Sequence, residues 1–239
     1  MGRVAALLIL LGALVAWFEA APHLDPVSEW KSVVLLSFVV MPAMFGLVWL
    51  ALPLVGETRW LVVGSAGLVG SAFVCGAFDW QVPENFAKFG AMTCLGWLFL
   101  KAFEELSWVV IVSLAIPFVD AYSVWRGPTH SITQHHAGVF TTFSVAFPVP
   151  GGNAARLGLT DVLFFAIFLG AAVRFQLRPS LTWILMVAGL GITITLTTYW
   201  STGGLPALPA ISLGFLIANA DLLWRRVARP VLGARSRAT

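Results

Sequence analysis

Three observations place these 239 residues in the class of all-α polytopic membrane proteins. Apolar side chains make up 59% of the chain and charged ones 10%, and the mean hydropathy is +0.90. A soluble domain runs about 45–50% apolar and about 25% charged, so neither a soluble globular chain nor a disordered one fits. The apolar residues also come in long unbroken runs, where a transmembrane β-barrel would show short alternating segments. Finally, the basic balance is local. Net charge is +3 and the pI about 9.2, but five of the fourteen Lys and Arg lie at or after Arg225. That is a basic tail and not a nucleic-acid surface.

Eight runs read as spans against the roughly 20 apolar residues a crossing requires. The first, 4–18, follows Arg3. It reads as a span and not a signal peptide because Phe18 and Glu19 stand where a cleavage site needs small residues. The second, 33–55, is interrupted by Pro42. The third, 60–78, carries no charge. The fourth, 86–103, is marginal and holds Lys88 and Lys101. The fifth, 106–125, contains Asp120, and the sixth, 157–173, has Asp161 near its start. The seventh is 181–200 and the eighth 205–224. There is no internal repeat and no low-complexity tract, so 1–239 reads as one membrane-embedded domain. Its parts are the helices of 1–105, a second part over 106–224, and a basic tail over 225–239.

The long connection 126–156 is rich in Gly and Pro, and 139–149 within it has the Val, Phe and Thr content of a β-strand. His130, His135 and His136 lie there without a partner at metal-ligand spacing and read as solvated loop residues. Cys75 and Cys94 read as small buried hydrophobes. With eight spans both termini share one side. Arg3, Arg59, Lys101, Arg174, Arg178 and the five tail arginines fall on it, against Lys31, Lys88, Arg126 and Arg156 on the other. The ten-to-four bias makes the first side cytoplasmic in a cell membrane. The 126–156 connection is then extracytoplasmic.

A carboxylate at the bilayer centre costs about 2.5–3.5 kcal/mol on insertion scales. Most acids here avoid that cost at span ends and in loops, and Asp221 stands one helical turn from Arg225 as an interfacial pair. Asp120 and Asp161 differ. Asp120 lies six residues before Arg126 and Asp161 five residues after Arg156. Their spans are consecutive and antiparallel, so the two lie about 9 and about 7.5 Å inside the same membrane face. Two carboxylates facing each other share a proton, and one then activates water while the other donates to a carbonyl, the division an aspartic protease uses. By spacing alone, two snorkelling or helix-capping aspartates, each near an arginine, are the commoner case.

Three motifs lie around the pair. Val119-Asp120 ends an apolar helix that resembles the first aspartate helix of the presenilin and signal peptide peptidase superfamily. Gly158-Leu159-Thr160-Asp161 resembles the family's Gly-x-Gly-Asp motif, and Pro206-Ala207-Leu208-Pro209 its Pro-Ala-Leu motif. The three occur in the family's order over roughly 106–224. Val119 stands where the family usually has tyrosine and Thr160 where it has glycine, and the family usually has nine spans where this chain shows eight. The resemblance implies a presenilin-like fold and an intramembrane aspartyl protease. Asp120 and Asp161 would be its catalytic dyad. Gly158, Leu159, Thr160, Pro206, Ala207, Leu208 and Pro209 would be its substrate-binding residues, with an unwound Pro-Ala-Leu strand holding the peptide. Substrates would be single-span membrane proteins or signal peptides, with no cofactor, no metal and no nucleic acid. Two other readings fit the same residues: a helix-binding protein of this fold that does not cut, and a small broken-helix transporter with an aspartate as proton relay.

Overall fold

The computed structural model describes residues 2–125, 141–200 and 205–228. With no water to satisfy exposed amides in hydrocarbon, an apolar chain closes its hydrogen bonds within helices, and the described residues form eight helical rods. α1 (Gly2–Ala20) comes first. The second rod joins α2 (Glu29–Leu35) to α3 (Met41–Ala51) and ends in a 3-10 turn, Leu52–Gly56. α4 (Thr58–Ala77), α5 (Gln81–Leu100) and α6 (Leu106–Trp125) follow. A hairpin of β1 (Ser144–Pro148) and β2 (Ala154–Gly158) precedes α7 (Leu159–Arg174), α8 (Pro179–Tyr199) and α9 (Leu208–Leu223).

Pro42 does not end the second rod. A π-turn over Leu36–Val40 immediately precedes it. Proline lacks an N–H and crowds the carbonyl four residues back, and the wider turn takes up that misfit.

Five segments are long and apolar enough to cross a membrane: Gly2–His23, Glu29–Gly56, Thr58–Ala77, Leu106–Ser123 and Pro179–Tyr199. The other three rods fall short for physical reasons. α5 carries Glu84 and Lys88, paired with each other one turn apart. α7 has 16 residues, about 24 Å at 1.5 Å per residue, against a hydrocarbon core of about 30 Å; the 16 residues of α9 continue only into a π-turn, Trp224–Ala228, that carries Arg225 and Arg226. The runs expected at 157–173 and 205–224 thus overshoot. Residues 157–158 belong to β2, and 205–207 are irregular.

α7 is the central helix. Phe165 through Leu169, with Ala171 and Ala172, are fully buried, as a helix apolar on all faces must be. It packs against α5, α8 and α9. Backbones approach closely where a side chain is missing, the packing mode of membrane helices. A Cβ at Gly96 of α5 would lie 2.6 Å from the Leu163 carbonyl oxygen, and one at Gly214 of α9 would lie 2.7 Å from the Met186 nitrogen. Next to Gly96, the buried Trp97 indole donates to the Ala166 carbonyl at 3.0 Å. Phe45 and Phe215 stack on α7 through Phe165 and Phe168, at 4.1 and 5.1 Å between ring centroids.

Side-chain bonds gather one end of several rods into a basic face. Arg3 donates to the carbonyls of Trp49 and Leu50, Lys101 to Gly56, Arg174 to Leu100, and Arg226 to Phe175. Asp221 belongs here too, and its partner corrects the expected one. Both its oxygens accept from the Arg178 guanidinium, at 2.7 and 2.9 Å, and not from Arg225. A two-pronged bond between helices outweighs a single pair one turn apart. At the opposite end Trp17 of α1 donates to the Pro148 carbonyl, so the hairpin closes that face.

Candidate functional site

The hairpin begins the site. Its tip needs two left-handed residues, supplied by Gly151 (φ 96°) and Gly152 (φ 81°). The register pairs Val145 with Leu157 and Phe147 with Ala155. At the strand ends Leu159 N–H donates to the Phe143 carbonyl and Val149 N–H to the Asn153 carbonyl. Paired residues in an antiparallel ladder alternate between bonded and non-bonded. Ala146 and Arg156, opposite each other, therefore turn their backbone groups outward. On the β1 side that outward position is filled. The carboxamide of Asn85, at the start of the second turn of α5 and 8% exposed, donates to the Ala146 carbonyl at 2.9 Å and accepts its N–H at 2.7 Å. It pairs with the strand as another strand would. On the β2 side the outward backbone groups of Ala154 and Arg156 have no partner among the described residues.

β2 runs directly into α7. Gly158, extended at φ −61° and ψ 145°, is the N-cap. Glycine has no side chain to cap with, and Asp161, three residues on, reaches back instead: its Oδ2 accepts the Gly158 N–H at 3.1 Å. Asp161 is 8% exposed. Thr160 is exposed, while Gly158 and Leu159 are half-buried.

Asp120 performs the same service for a different helix. α9 starts at Leu208 with Ala207 as N-cap, which offers no side-chain acceptor. Pro209 has no N–H to satisfy, but Leu208 does, and it donates to Asp120 Oδ2 at 3.1 Å. Pro117 lies in α6 three residues before Asp120. Ala207 and Leu208 are buried, and Pro206 and Pro209 are half-buried. Only Pro206 and Ala207 of the expected unwound strand are non-helical, because Leu208 and Pro209 already form the first turn of α9.

The three sequence motifs thus meet at one place. The Asp120 and Asp161 carboxyls stand within Coulombic reach of each other, and Leu208 is bound to the first of them. The Oδ1 atom of each has no hydrogen-bond partner among the described residues. Neither has a cation at ion-pair distance there: Arg156 donates to Ser144 Oγ at 3.3 Å. The helix-capping part of the alternative account holds, and an arginine partner for Asp161 is not found. No group of three metal-ligating side chains occurs among the described residues, and His130, His135 and His136 lie outside them.

Asn85 had no signal in the sequence. It stands alone at the edge of a marginal run, and its partner is a backbone 61 residues away. No protein-family model and no curated protein matches this chain.

Proposed function

We propose that the protein is an intramembrane aspartyl protease that hydrolyses peptide bonds in membrane-spanning segments or signal peptides, with Asp120 and Asp161 as its dyad. The observation that carries this reading is the approach of the two carboxyls, drawn from different helices, to within Coulombic reach of each other, with the amide of Leu208 on one of them. One carboxyl, ionised, takes a proton from water as the oxygen attacks the peptide carbonyl. The other, protonated, donates to the carbonyl oxygen. The tetrahedral intermediate then collapses, the C–N bond breaks, and a proton passes to the leaving amine. Each aspartate keeps Oδ1 for this work while Oδ2 stays on its helix. The outward edge of β2 ends three residues before Asp161. A substrate unwound into a strand would pair with Ala154 and Arg156, since a peptide bond cannot be cut while folded into a helix.

The eight rods would cross the membrane eight times, the short α7 and α9 completed by the hairpin and by 205–207. The basic face would be cytoplasmic and the hairpin extracytoplasmic. That is the orientation of signal peptide peptidases and the reverse of presenilins, so substrates would be helices with a cytoplasmic N-terminus. The test is incubation of the purified chain with a panel of tagged single-span helices, read by mass spectrometry. Products cut within the span support the reading. An intact panel overturns it.

The two capping bonds favour one other reading, in which the aspartates only hold α7 and α9 in place. Asparagine separates the two. Its carbonyl accepts an N–H as well as aspartate does, so Asp120→Asn and Asp161→Asn preserve the caps while removing any ionisable group.

A further inference from the structure

On the basic face, away from the two aspartates, three helix carboxyl ends surround a cavity of about 360 Å³. The turn Leu52–Gly56 forms one wall, Lys101 just beyond α5 a second, and Val173 and Arg174 in the last turn of α7 a third. Leu52, Pro53 and Val55 make the lining apolar between the two cations. A Cβ added at Gly56 would meet nothing within 4 Å, so open space continues over that residue.

The cations are underused. Arg174 donates one bond to the Leu100 carbonyl and lies over the Phe175 ring at 5.2 Å. Lys101 makes one long bond, 3.4 Å, to the Gly56 carbonyl. Neither has a carboxylate within ion-pair distance among the described residues, whose ion pairs are Lys88–Glu84 and Arg178–Asp221. Glu57 and Glu104, the closest acids along the chain, are exposed. The ordinary explanation is that cations neutralise helix carboxyl ends, each worth about half a negative charge. Three such ends offset about one and a half charges. Lys101 and Arg174, two full charges in the lining, exceed that by themselves, and Arg226 adds to them through its bond to the Phe175 carbonyl, next in the chain to Arg174. The excess is open to an external anion.

We propose that this cavity binds the phosphodiester of an anionic phospholipid, with its oxygens on Lys101 and Arg174 and the start of its acyl chains on Leu52, Val55 and Val173. The cavity lies at the ends of the rods, where lipid phosphates sit, and basic pockets between helices suit such head groups. A free phosphate shares the anion chemistry, but only a lipid also gains from the apolar walls. The site is independent of the protease reading.

The full-length protein in neutral detergent is titrated with phosphatidylglycerol, with phosphatidylcholine and, as a competitor, with inorganic phosphate, and bound lipid is read by native mass spectrometry. Phosphatidylglycerol should be retained over phosphatidylcholine, and Lys101→Gln and Arg174→Gln should each weaken it about fivefold. Arg225→Gln, outside the cavity, should not. Gly56→Leu keeps both charges and fills the space. Its loss of lipid separates a cavity from a diffuse basic surface, and the folded charge-state distribution verifies that each variant is intact. Equal retention of the two lipids, retention unchanged by all three cavity variants, or displacement of the lipid by inorganic phosphate overturns the proposal.

Discussion

Asp120 and Asp161 each hold a helix N-terminus with one oxygen and leave the other without a partner among the described residues. Asp120→Asn and Asp161→Asn should therefore leave insertion and helix content intact and abolish cleavage; a mutant that still cuts the panel at near-native rate removes its residue from the dyad. Because one carboxyl must be ionised and the other protonated, activity should fall on both sides of a pH optimum, and a flat profile argues against two coupled acids. Thr160 is exposed at the second position of α7. Thr160→Gly should hold or raise activity by clearing bulk beside the dyad, at up to about 1 kcal/mol of helix stability. A clear loss without unfolding would mean that the hydroxyl is needed. Asn85→Ala leaves two backbone groups of Ala146 unpaired, at a cost of about 1–3 kcal/mol for each that stays dry. Hydrogen exchange at the Ala146 amide should accelerate, and unchanged exchange would show that the carboxamide does not hold the strand.

Among the helices, the α8–α9 contact positions Leu208 and so half of the site. At Gly214 the atoms a side chain would meet are backbone atoms of Leu185 and Met186, which cannot rotate away. Gly214→Leu should cost about 1–3 kcal/mol as overpacking and lower the melting temperature in detergent. Gly67→Leu on α4, where a Cβ meets nothing within 4 Å, should not. Equal melting of the two variants would mean that the approach is not tight. Apolar patterning located all eight rods, yet it misplaced the starts of α7 and α9. The end of β2, Leu157 and Gly158, and an irregular segment such as 205–207 read like helix when only hydropathy is counted. The Asp221 partner was missed for a related reason: spacing along one helix says nothing about Arg178 at the start of the preceding one, α8.

The distribution of charge makes a statement about the protein in its membrane. The bonds from Arg3, Lys101, Arg174, Arg178 and Arg226 bring residues far apart in sequence to one face, so the bias that ranks the loops also ranks two surfaces. With that face cytoplasmic, a cysteine at Ser131 should react with an impermeant thiol reagent on intact cells and one at Ser236 should not, in a background lacking Cys75 and Cys94. Both positions lie outside the described residues. Labelling at Ser236 and not at Ser131 would reverse the orientation and, with it, the preferred direction of the substrate helix.

The apolar helical class, the rods, the two aspartates that stand out and a strand within 139–149, found over Ser144–Pro148, follow from composition and local spacing, because hydropathy acts on every residue alike. Which oxygen caps which helix, that Asn85 stands in for a third strand, that Arg178 and not Arg225 holds Asp221, and that Lys101 and Arg174 share a cavity depend on contacts between distant segments. No local pattern records those contacts, since each is made by whichever polar group the packing of the helices brings within reach.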